Sequence, residues 1–304
     1  MASRVDNRLR AVLGKDFAPA AGFLAPALVL LILFVFYPLL RSIVLSFSEW
    51  NLITDPELVG LANYRRLLAS SRFWRAFRVT VVFTVFSVGL TVFFGLVMAL
   101  LVDSVALRPS RIYQTIFFLP TMISLVILAT IWLYVLQPQI GPANALLARM
   151  GLPRLGWLHS STWALPSIIG MNVWRNSGYT MILFLAGLQG IPEQLHEVAR
   201  IDGASVFRRI WSVTLPMLGP TTLFVVVISV IRSFLVFTEV HVLTRGGPAD
   251  STLVMVYYIW QEGFRYYRAG TASAIATFFF VFVLVFSIIQ MRLSERRTHY
   301  EGVK

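Results

Sequence analysis

Two clusters of amide, hydroxyl, aromatic and guanidinium groups interrupt apolar segments in the second half of the chain. They are Asn172, Arg175, Asn176 and Tyr179 in the first cluster, and Ser229, Arg232 and Ser233 in the second. The spacing within each cluster places its members on one face of a helix. Such groups provide the donors, acceptors and stacking faces that a polyhydroxylated solute needs. We therefore predict that these side chains bind a small solute.

The two arginines are the most informative members of these clusters. A charge inside an apolar membrane segment is costly, so Arg175 and Arg232 are candidates for a functional role. A structural role is the alternative. Arg175 could lie near a helix end, and either arginine could bond to backbone carbonyls or to Glu239. The sequence leaves both interpretations open.

Catalytic and cofactor chemistry has no support in the sequence. There is no G-x-x-x-x-G-K-[ST] phosphate loop, no set of paired carboxylates and no nucleophile with a base. The chain has no cysteine and its four histidines are far apart, so we expect neither a disulfide nor a metal site. We expect no enzymatic activity and no cofactor in this chain. A membrane enzyme and a channel are the alternatives. No cluster of His or Asp residues within the spans favours the enzyme, and no ring-forming charge pattern favours the channel.

The composition indicates a membrane protein. Of the 304 residues, 57% are apolar and only 13% are charged, against about a quarter charged in soluble domains. Uncharged runs of about 18 or more residues predict transmembrane helices, and we interpret the first as an uncleaved span. The six predicted spans cover about 18–47, 79–102, 112–136, 165–188, 221–243 and 269–291. They form one all-α transmembrane domain, 18–292, between an N-terminal tail, 1–17, and a C-terminal tail, 293–304.

One polar interval, 193–218, lies between the fourth and fifth predicted spans. Pro192 suits the first turn of a helix, and Gly203 suits a helix C-terminus that needs a positive φ. A second short helix would start at Val206 and stop before Pro216. The interval therefore predicts a helix–turn–helix elbow on one face of the membrane. Small residues at the bend would let another protein approach closely.

The elbow carries a specific motif. Glu197-Val198-Ala199 is followed by three residues and Gly203, and then by nine residues and Val213-Thr214-Leu215-Pro216. This pattern resembles the EAA motif of permease subunits in binding-protein-dependent ABC importers, with Val198 and Val213 as apolar departures. The resemblance implies a type I importer permease fold, in which the elbow is a cytoplasmic coupling helix that docks on an ATPase subunit. The coupling residues that it implies are Glu197, Ala199, Asp202, Gly203, Ala204 and Pro216.

Further segments extend the resemblance over nearly the whole chain. They are similar to segments of carbohydrate-uptake permeases. They are Gly60-Leu61-Ala62-Asn63-Tyr64, Phe73-Trp74, Thr244-Arg245-Gly246-Gly247-Pro248, Ser251-Thr252 and Ala272-Ser273-Ala274. Before the second span, the aromatics and arginines of 49–78 suit an interfacial segment. We also expect Ser251 or Thr252 to cap the helix that follows.

The resemblance implies import of a sugar or oligosaccharide that an extracytoplasmic solute-binding protein delivers. The other partners that it implies are a second homologous permease, which would complete a heterodimer, and a dimer of ATPase subunits. ATP and Mg²⁺ would be bound by those ATPase subunits. Import of glycerol-3-phosphate or of a glycerophosphodiester is the alternative, because two buried arginines would suit phosphate.

The direction of insertion follows mainly from the resemblance. If both termini are inside, thirteen basic residues are cytoplasmic and ten are extracytoplasmic, which is a weak positive-inside bias. A cytoplasmic elbow also places both termini inside, in the plasma (inner) membrane of a bacterium or archaeon. The net charge of +12 favours contact with anionic membrane lipid over nucleic acid.

Overall fold

The computed structural model describes residues 17–104 and 110–295, so most of both predicted tails lies outside the described residues. In the described ranges, the regular structure is helical apart from one two-stranded antiparallel hairpin. Ser48 pairs with Leu58 and Glu49 with Glu57 in this hairpin. The predicted all-α class is confirmed.

The elements follow one another along the chain with short connections. In order they are α1 (Phe17–Leu31), α2 (Tyr37–Leu45), β1 (Ser48–Glu49), β2 (Glu57–Leu58), α3 (Ala62–Ala69), α4 (Ser71–Asp103), α5 (Ser110–Met122), α6 (Leu125–Val135), α7 (Pro142–Arg149), α8 (Ala164–Gln189), α9 (Glu193–Ile201), α10 (Val206–Arg209), α11 (Leu215–Met217), α12 (Gly219–Phe234), α13 (Thr238–Leu243), α14 (Met255–Trp260) and α15 (Ala269–Glu295). Three π-helical segments, Ile32–Phe36, Ile210–Thr214 and Gln261–Arg265, and a 3-10 turn, Trp157–His159, complete the helical path.

Within the described part of the chain, three helices are long and apolar enough to span a membrane, and two bent pairs bring the number to five. The helices are Gly22–Leu45, Ser71–Asp103 and Ala269–Arg292, and the pairs are Arg111–Met122 with Leu125–Val135 and Val206–Met217 with Gly219–Phe234. The remaining predicted span, 165–188, coincides with α8, a helix of 26 residues. Polar residues in the middle of α8 lower its hydropathy, and it packs against α4 and α5. Each of the six predicted regions is therefore largely helical.

Two predicted spans are broken, contrary to the expectation of continuous helices. The pair that covers 112–136 bends by 95° between α5 and α6. Pro120 lies just before this bend, and its ring and missing N–H disturb helical hydrogen bonding. The region 221–243 is interrupted between α12 and α13, where Phe237 has the non-helical angles φ −142° and ψ −56°. The second break has no proline in the sequence to predict it.

The helix that contains the second predicted span begins at Ser71, before the predicted start of the span near residue 79. Ser70 caps this helix, because its side chain accepts a hydrogen bond from the Phe73 N–H at 3.4 Å. Satisfying a free N–H group in this way stabilises a helix start. The stretch 49–78, whose place in the membrane interface stays a prediction, is formed by the hairpin, α3 and the first turns of α4.

The cap expected for the helix after the Gly-Gly-Pro turn is wrong. Thr252 instead donates its hydroxyl to the Gly247 carbonyl at 2.8 Å. α14 begins later, and the Met255 N–H donates to the Thr80 hydroxyl of α4 at 2.8 Å. The free N–H group at the start of α14 is thus satisfied by the Thr80 side chain, which is distant in sequence, and not by the neighbouring residues that were expected to cap it.

The buried core is divided into two apolar clusters along α4 and α8. The first cluster contains Phe83 of α4 and Ile168 of α8, and the second contains Val102 and Phe184 of the same helices. The polar cluster of α8 lies between these two groups of contacts. Apolar packing at both ends therefore holds a polar zone near the middle of the helices.

The bend of the elbow forms as the glycine position predicts. Gly203 has φ +74°, a conformation that glycine adopts at little cost. The Gly203 N–H donates to the Arg200 carbonyl at 3.1 Å, and the Ala204 N–H donates to the Ala199 carbonyl at 2.9 Å. These two bonds close the C-terminus of α9 in the manner of a Schellman motif.

The second half of the elbow is longer than predicted. Ser205 caps α10 by accepting a hydrogen bond from the Arg208 N–H at 3.3 Å. The helical path then passes through a π-helical segment and continues beyond Pro216 to Met217. Pro216 falls in the first turn of α11, where a residue without an N–H is tolerated. The predicted stop before Pro216 is therefore wrong.

Candidate functional site

All seven side chains of the two predicted polar clusters line one cavity of about 500 Å³. They are Asn172, Arg175, Asn176 and Tyr179 from α8, and Ser229, Arg232 and Ser233 from α12. The cavity lies in the polar zone between the two apolar clusters. Its size is in the range of small-molecule sites. The fold thus joins two sets of residues that lie far apart in the sequence.

Arg232 links the two helices across this cavity. Its Cζ lies 4.5 Å from the centroid of the Tyr179 ring, a cation–π contact worth about 0.5–2 kcal/mol. Glu239, the alternative partner considered from the sequence, forms no ion pair with Arg232 in the described ranges. Glu239 instead accepts a hydrogen bond from Asn172 Nδ2 at 3.0 Å. The guanidinium and the carboxylate are therefore engaged separately.

Arg175 lies in the middle of α8 and not at a helix end. Its Nη1 is 3.5 Å from Asn176 Oδ1, which makes at most a weak hydrogen bond. Its Nε is buried and has no hydrogen-bond partner among the described residues. A buried donor left in this condition costs about 1–3 kcal/mol. The Arg175 side chain can therefore donate to a solute in the cavity.

Two other predicted residues also hold the helices in place. Ser233 Oγ donates to Thr84 Oγ1 of α4 at 3.2 Å, in a buried position. Asn176 Nδ2 donates to the Asn172 carbonyl one turn earlier at 2.9 Å. Ser233 therefore joins α12 to α4, whereas Asn176 keeps its side-chain oxygen directed towards the Arg175 guanidinium.

Several polar residues of the cavity were not predicted as site residues. They are Ser87, Thr91, Thr121, Thr180, Thr238 and Glu239. Ser87 and Thr91 belong to a buried stripe of hydroxyl residues that recurs every three to four positions from Thr80 along α4, so this helical spacing was a signal that could have identified them. Glu239 is only 5% exposed. An acidic residue inside a predicted span was the signal that could have identified it.

Both helix breaks open onto the cavity. Thr121 and Leu125 flank the break between α5 and α6, and Leu235 and Thr238 flank the break between α12 and α13. Non-helical backbone within a membrane is tolerated where it lines a cavity instead of lipid. The breaks can therefore add backbone N–H and C=O groups to the hydrogen-bonding capacity of the side chains.

A larger cavity of about 950 Å³ lies among α4, α5 and α8 and is lined almost entirely by apolar side chains. One polar residue in its wall is Ser177, whose hydroxyl donates to the Val173 carbonyl of its own helix. This cavity has few groups that could bind hydroxyls or charges. Its size alone therefore does not make it a solute site.

The six predicted coupling residues lie together on the elbow, and none of them is buried. They are Glu197, Ala199, Asp202, Gly203, Ala204 and Pro216. The elbow also exposes large apolar side chains, including Ile201 at 85% and Phe207 at 75%. Phe207 stacks on Trp211, with ring centroids 6.3 Å apart. Exposed apolar patches of this kind are typical of interaction surfaces.

The outer side of the bend at Gly203 is not covered by other atoms of the described chain. A Cβ atom added at Gly203 would meet no atom of this chain within 4 Å. Within the chain, the positive φ is therefore the reason for glycine at this position. Any close approach that requires a small residue here would be made by another molecule.

The described residues contain no group of three or more His, Cys, Asp or Glu side chains placed to hold a metal ion. The cavity between α8 and α12 is instead lined by amide, hydroxyl and guanidinium groups. Guanidinium groups repel cations and bind carboxylates, phosphates and hydroxyls. The cavity is therefore suited to an organic solute.

Known proteins are similar to this chain in sequence. The family model for the inner membrane component of binding-protein-dependent transport systems matches residues 91–300. The chain is 34% identical over 274 residues to the probable ABC transporter permease protein YurN of Bacillus subtilis, covering 89% of this chain and 94% of that protein. It is 32% identical over 281 residues to the sn-glycerol-3-phosphate transport system permease protein UgpA of Brucella abortus, covering 91% and 94%.

A solved structure has the same architecture. It is a chain of a bacterial ABC transporter involved in the import of the acidic polysaccharide alginate. The TM-score is 0.81 at 27% sequence identity, covering 95% of this chain and 99% of that chain. The predicted importer permease fold and the role as a transport subunit are confirmed. This chain therefore belongs to the family of inner membrane components of binding-protein-dependent transport systems, the permease subunits of ABC importers.

Proposed function

We propose that this permease imports a sugar or oligosaccharide and holds it in the cavity between α8 and α12. The observation that carries the proposal is the meeting of the two polar clusters at Arg232 and Tyr179. Around this contact the cavity offers amide, hydroxyl and guanidinium donors, a carboxylate acceptor and an aromatic face. A sugar uses all of these groups at once. Import of the acidic polysaccharide alginate by the related transporter supports a saccharide as the class of solute, without favouring a neutral one.

Glycerol-3-phosphate or a glycerophosphodiester is the second candidate solute. Arg175 and Arg232 line the cavity together with a single carboxylate, Glu239, and guanidinium groups bind phosphate strongly. Similarity to the UgpA permease supports this candidate. A phosphate would have to compete with the Tyr179 ring for Arg232, whereas a neutral sugar could bind beside the existing contact. The geometry therefore favours the sugar.

The complete importer that we propose contains three kinds of partner. A second homologous permease would complete the transmembrane heterodimer, and a dimer of ATPase subunits would hold ATP and Mg²⁺. An extracytoplasmic solute-binding protein would deliver the solute. The solved alginate transporter in complex with a pentasaccharide-bound periplasmic protein supports this last partner. The elbow and both termini would be cytoplasmic, in the plasma (inner) membrane of a bacterium or archaeon.

Movement of the elbow would reach the solute through α12. The helical segment Val206–Met217 of the elbow continues directly into α12, at a bend of 67°. α12 carries Arg232, so closure of the ATPase dimer would displace one wall of the cavity. We propose that this displacement switches the permease between inward-facing and outward-facing states. The solute can shift this equilibrium only by binding one state more tightly.

Uptake by the reconstituted importer tests the proposal. Proteoliposomes containing the complete complex would take up a radiolabelled neutral disaccharide or radiolabelled sn-glycerol-3-phosphate. Asn176→Leu should lower uptake of the true solute, because it removes the amide that lines the cavity beside the Arg175 guanidinium. Thr130→Val on α6, an exposed position outside the cavity, is the control. Normal uptake by both Asn176→Leu and Arg232→Met, at normal complex levels, would show that the solute is held elsewhere.

A further inference from the structure

A second polar cavity, of about 600 Å³, lies where the hairpin, α3, the segment Gln261–Arg265 and the start of α15 meet. It shares no lining residue with the cavity between α8 and α12. The hairpin is held against α15, because the Gly270 N–H donates to the Trp50 carbonyl at 3.3 Å. A Cβ atom at Gly270 would collide with the Ser48 carbonyl. The wall of the cavity is therefore fixed by close backbone packing.

Glu262 lines this cavity with an incompletely satisfied carboxylate. The residue is 4% exposed, and its Oε2 has no hydrogen-bond partner among the described residues. The Arg72 Nη1 atom lies 3.6 Å from Oε1, and the Arg268 Nη1 atom lies 3.7 Å from Oε2. Both distances exceed those of a hydrogen bond. The buried oxygen thus retains the capacity to accept a hydrogen bond from a ligand.

The charges around Glu262 select the class of ligand. Arg72, which also pairs with Asp250, and Arg268 flank the Glu262 carboxylate, so a metal ion or an ammonium group bound at this carboxylate would lie next to two guanidinium charges. The third arginine near the cavity, Arg66, is paired with Glu49 in the wall. An anionic ligand would meet the carboxylate itself and the acidic hairpin. The hairpin carboxylates in the wall are Glu49, Asp55 and Glu57. A neutral ligand that donates hydroxyl groups avoids both penalties.

Aromatic side chains give the same cavity flat apolar faces. Trp50, Tyr258 and Tyr267 all line the wall. Tyr258 is buried, and the Arg72 guanidinium lies 5.2 Å from its ring centroid. Aromatic rings bury apolar area while leaving polar groups at their edges. Ring faces beside carboxylate and guanidinium groups match the alternating C–H and O–H surfaces of a pyranose.

We propose that this cavity is a binding site for a neutral saccharide, with Glu262 Oε2 accepting a hydrogen bond from a hydroxyl group. It would be a second site, separate from the intramembrane cavity. The choice of a saccharide rests on the proposed import of sugars, whereas the site itself rests on Glu262 and the walls around it. A cavity of this size accommodates a small molecule.

Protection of a single cysteine tests this site. The chain contains no cysteine, so Thr54→Cys places one thiol on the exposed hairpin wall of the cavity. The purified complex in nanodiscs, without ATP or solute-binding protein, is treated with a maleimide. Maltose, sucrose or trehalose at about ten times its dissociation constant should slow labelling about tenfold. Ser161→Cys, exposed and outside this cavity, should be labelled at an unchanged rate.

Removal of the acceptor provides the second measurement. Glu262→Gln in the Thr54→Cys background should raise the sugar concentration for half-protection about tenfold, since one charge-assisted hydrogen bond is lost. If that complex fails to assemble, Tyr267→Ala replaces it, because this ring is largely exposed and a weaker half-protection is again expected. Protection by none of the three sugars overturns the proposal. Equal protection at Ser161→Cys, or protection only by glucosamine or glucuronate, also overturns it.

The result is independent of the intramembrane cavity. The assay contains no transport step, so Asn176→Leu should leave protection at Thr54→Cys unchanged. Loss of the proposed import function with intact protection would reject a sugar as the transported solute and keep this site. Normal sugar uptake without protection would keep a sugar as the transported solute and would reject this second site.

Discussion

Two regions depart in opposite ways from the usual distribution of polar and apolar side chains. One is the cavity between α8 and α12, and the other is the elbow that precedes α12. In the cavity, polar groups lie inside the bundle and bind one another, as Arg232 with Tyr179 and Glu239 with Asn172. In the elbow, apolar side chains such as Ile201 lie at the surface without cover from the described chain. Buried polar groups and exposed apolar patches are the two informative departures from the usual distribution.

The difference separates a cavity that is lined by this chain from a surface that the described chain leaves uncovered. The cavity has walls from six helices, and several of its side chains already hold one another in position. The elbow has a defined backbone, but the surface that it presents requires a partner to cover it. We therefore expect substitutions in the cavity to change solute affinity. Substitutions on the elbow should change assembly and coupling.

The largest expected effect is an all-or-none difference in accessibility. We predict that Gln194→Cys on the elbow does not react with an impermeant maleimide added to intact cells, because we propose that the elbow is cytoplasmic. Ser71→Cys, at the hairpin end of α4, should react, because in the proposed orientation this end of α4 is extracytoplasmic. Both positions are exposed. Labelling of Gln194→Cys from outside, confirmed in permeabilised cells as a positive control, would reject the orientation.

The next effect concerns the bend of the elbow. Gly203→Asp should lower uptake by roughly tenfold, because a side chain at φ +74° is strained by about 1–3 kcal/mol and also occupies the space outside the bend. Recovery of the ATPase with the tagged permease measures docking directly. Glu197→Lys should weaken the same docking by reversing a charge.

A matched glycine separates strain from docking in this experiment. Gly151 has φ +73°, and a Cβ atom there also meets nothing within 4 Å. Gly151→Asp therefore introduces similar backbone strain outside the elbow, and it should leave ATPase recovery unchanged. If both aspartate variants lose the ATPase equally, the effect at position 203 is one of stability and not of docking.

A smaller effect is expected for the contact between Arg232 and Tyr179. If the solute is neutral, Arg232→Met should lower its affinity by a few fold, whereas a phosphate-bearing solute should lose much more, because charge-assisted hydrogen bonds are about twice as strong. A double-mutant cycle with Tyr179→Leu should give a coupling of about 0.5–2 kcal/mol for the cation–π pair. Strict additivity of the two variants in uptake affinity would show that the contact has no role in binding.

The helical class, the glycine bend and the two polar clusters on α8 and α12 were predictable because each depends on local spacing or composition. Asn172 and Arg175 share a helix face by spacing alone, and Gly203 has a local reason for its conformation. The second helix break, at Phe237, has no proline or glycine beside it. It depends on packing across the bundle, which one segment of sequence does not encode.

The contacts between helices that complete the cavity could not be predicted from the sequence either. The pairing of Ser233 with Thr84 joins residues 149 positions apart. The cap of α14 by Thr80 joins residues 175 positions apart. Spacing rules apply within one helix. They therefore identify which residues share a helix face, but they do not identify the partner helix against which that face packs.

The smallest effect concerns pH and Glu262, which lies outside the spans and next to the hairpin. Burial raises the pKa of the Glu262 carboxyl above its ordinary value of 4.5, although the charges of Arg268 and Arg72 lower it in part. The folded state therefore binds the proton more tightly than the unfolded state. This contribution to stability is fully present below the ordinary pKa and is lost as pH rises through the folded pKa.

We predict that the wild-type complex loses thermal stability relative to Glu262→Gln as the pH rises from about 5 to about 7.5, because only the wild type must ionise a buried carboxyl. The shift in melting temperature should be small, since Arg72 and Arg268 compensate part of the cost. Glu57→Gln, at an exposed carboxyl on the hairpin, is the control and should follow the wild type. A wild-type complex that instead gains stability over Glu262→Gln with rising pH would mean that the two arginines outweigh burial. The Glu262 carboxylate would then be a stabilising ion pair, in contrast to the incompletely satisfied acceptor inferred from its 3.6 and 3.7 Å contacts.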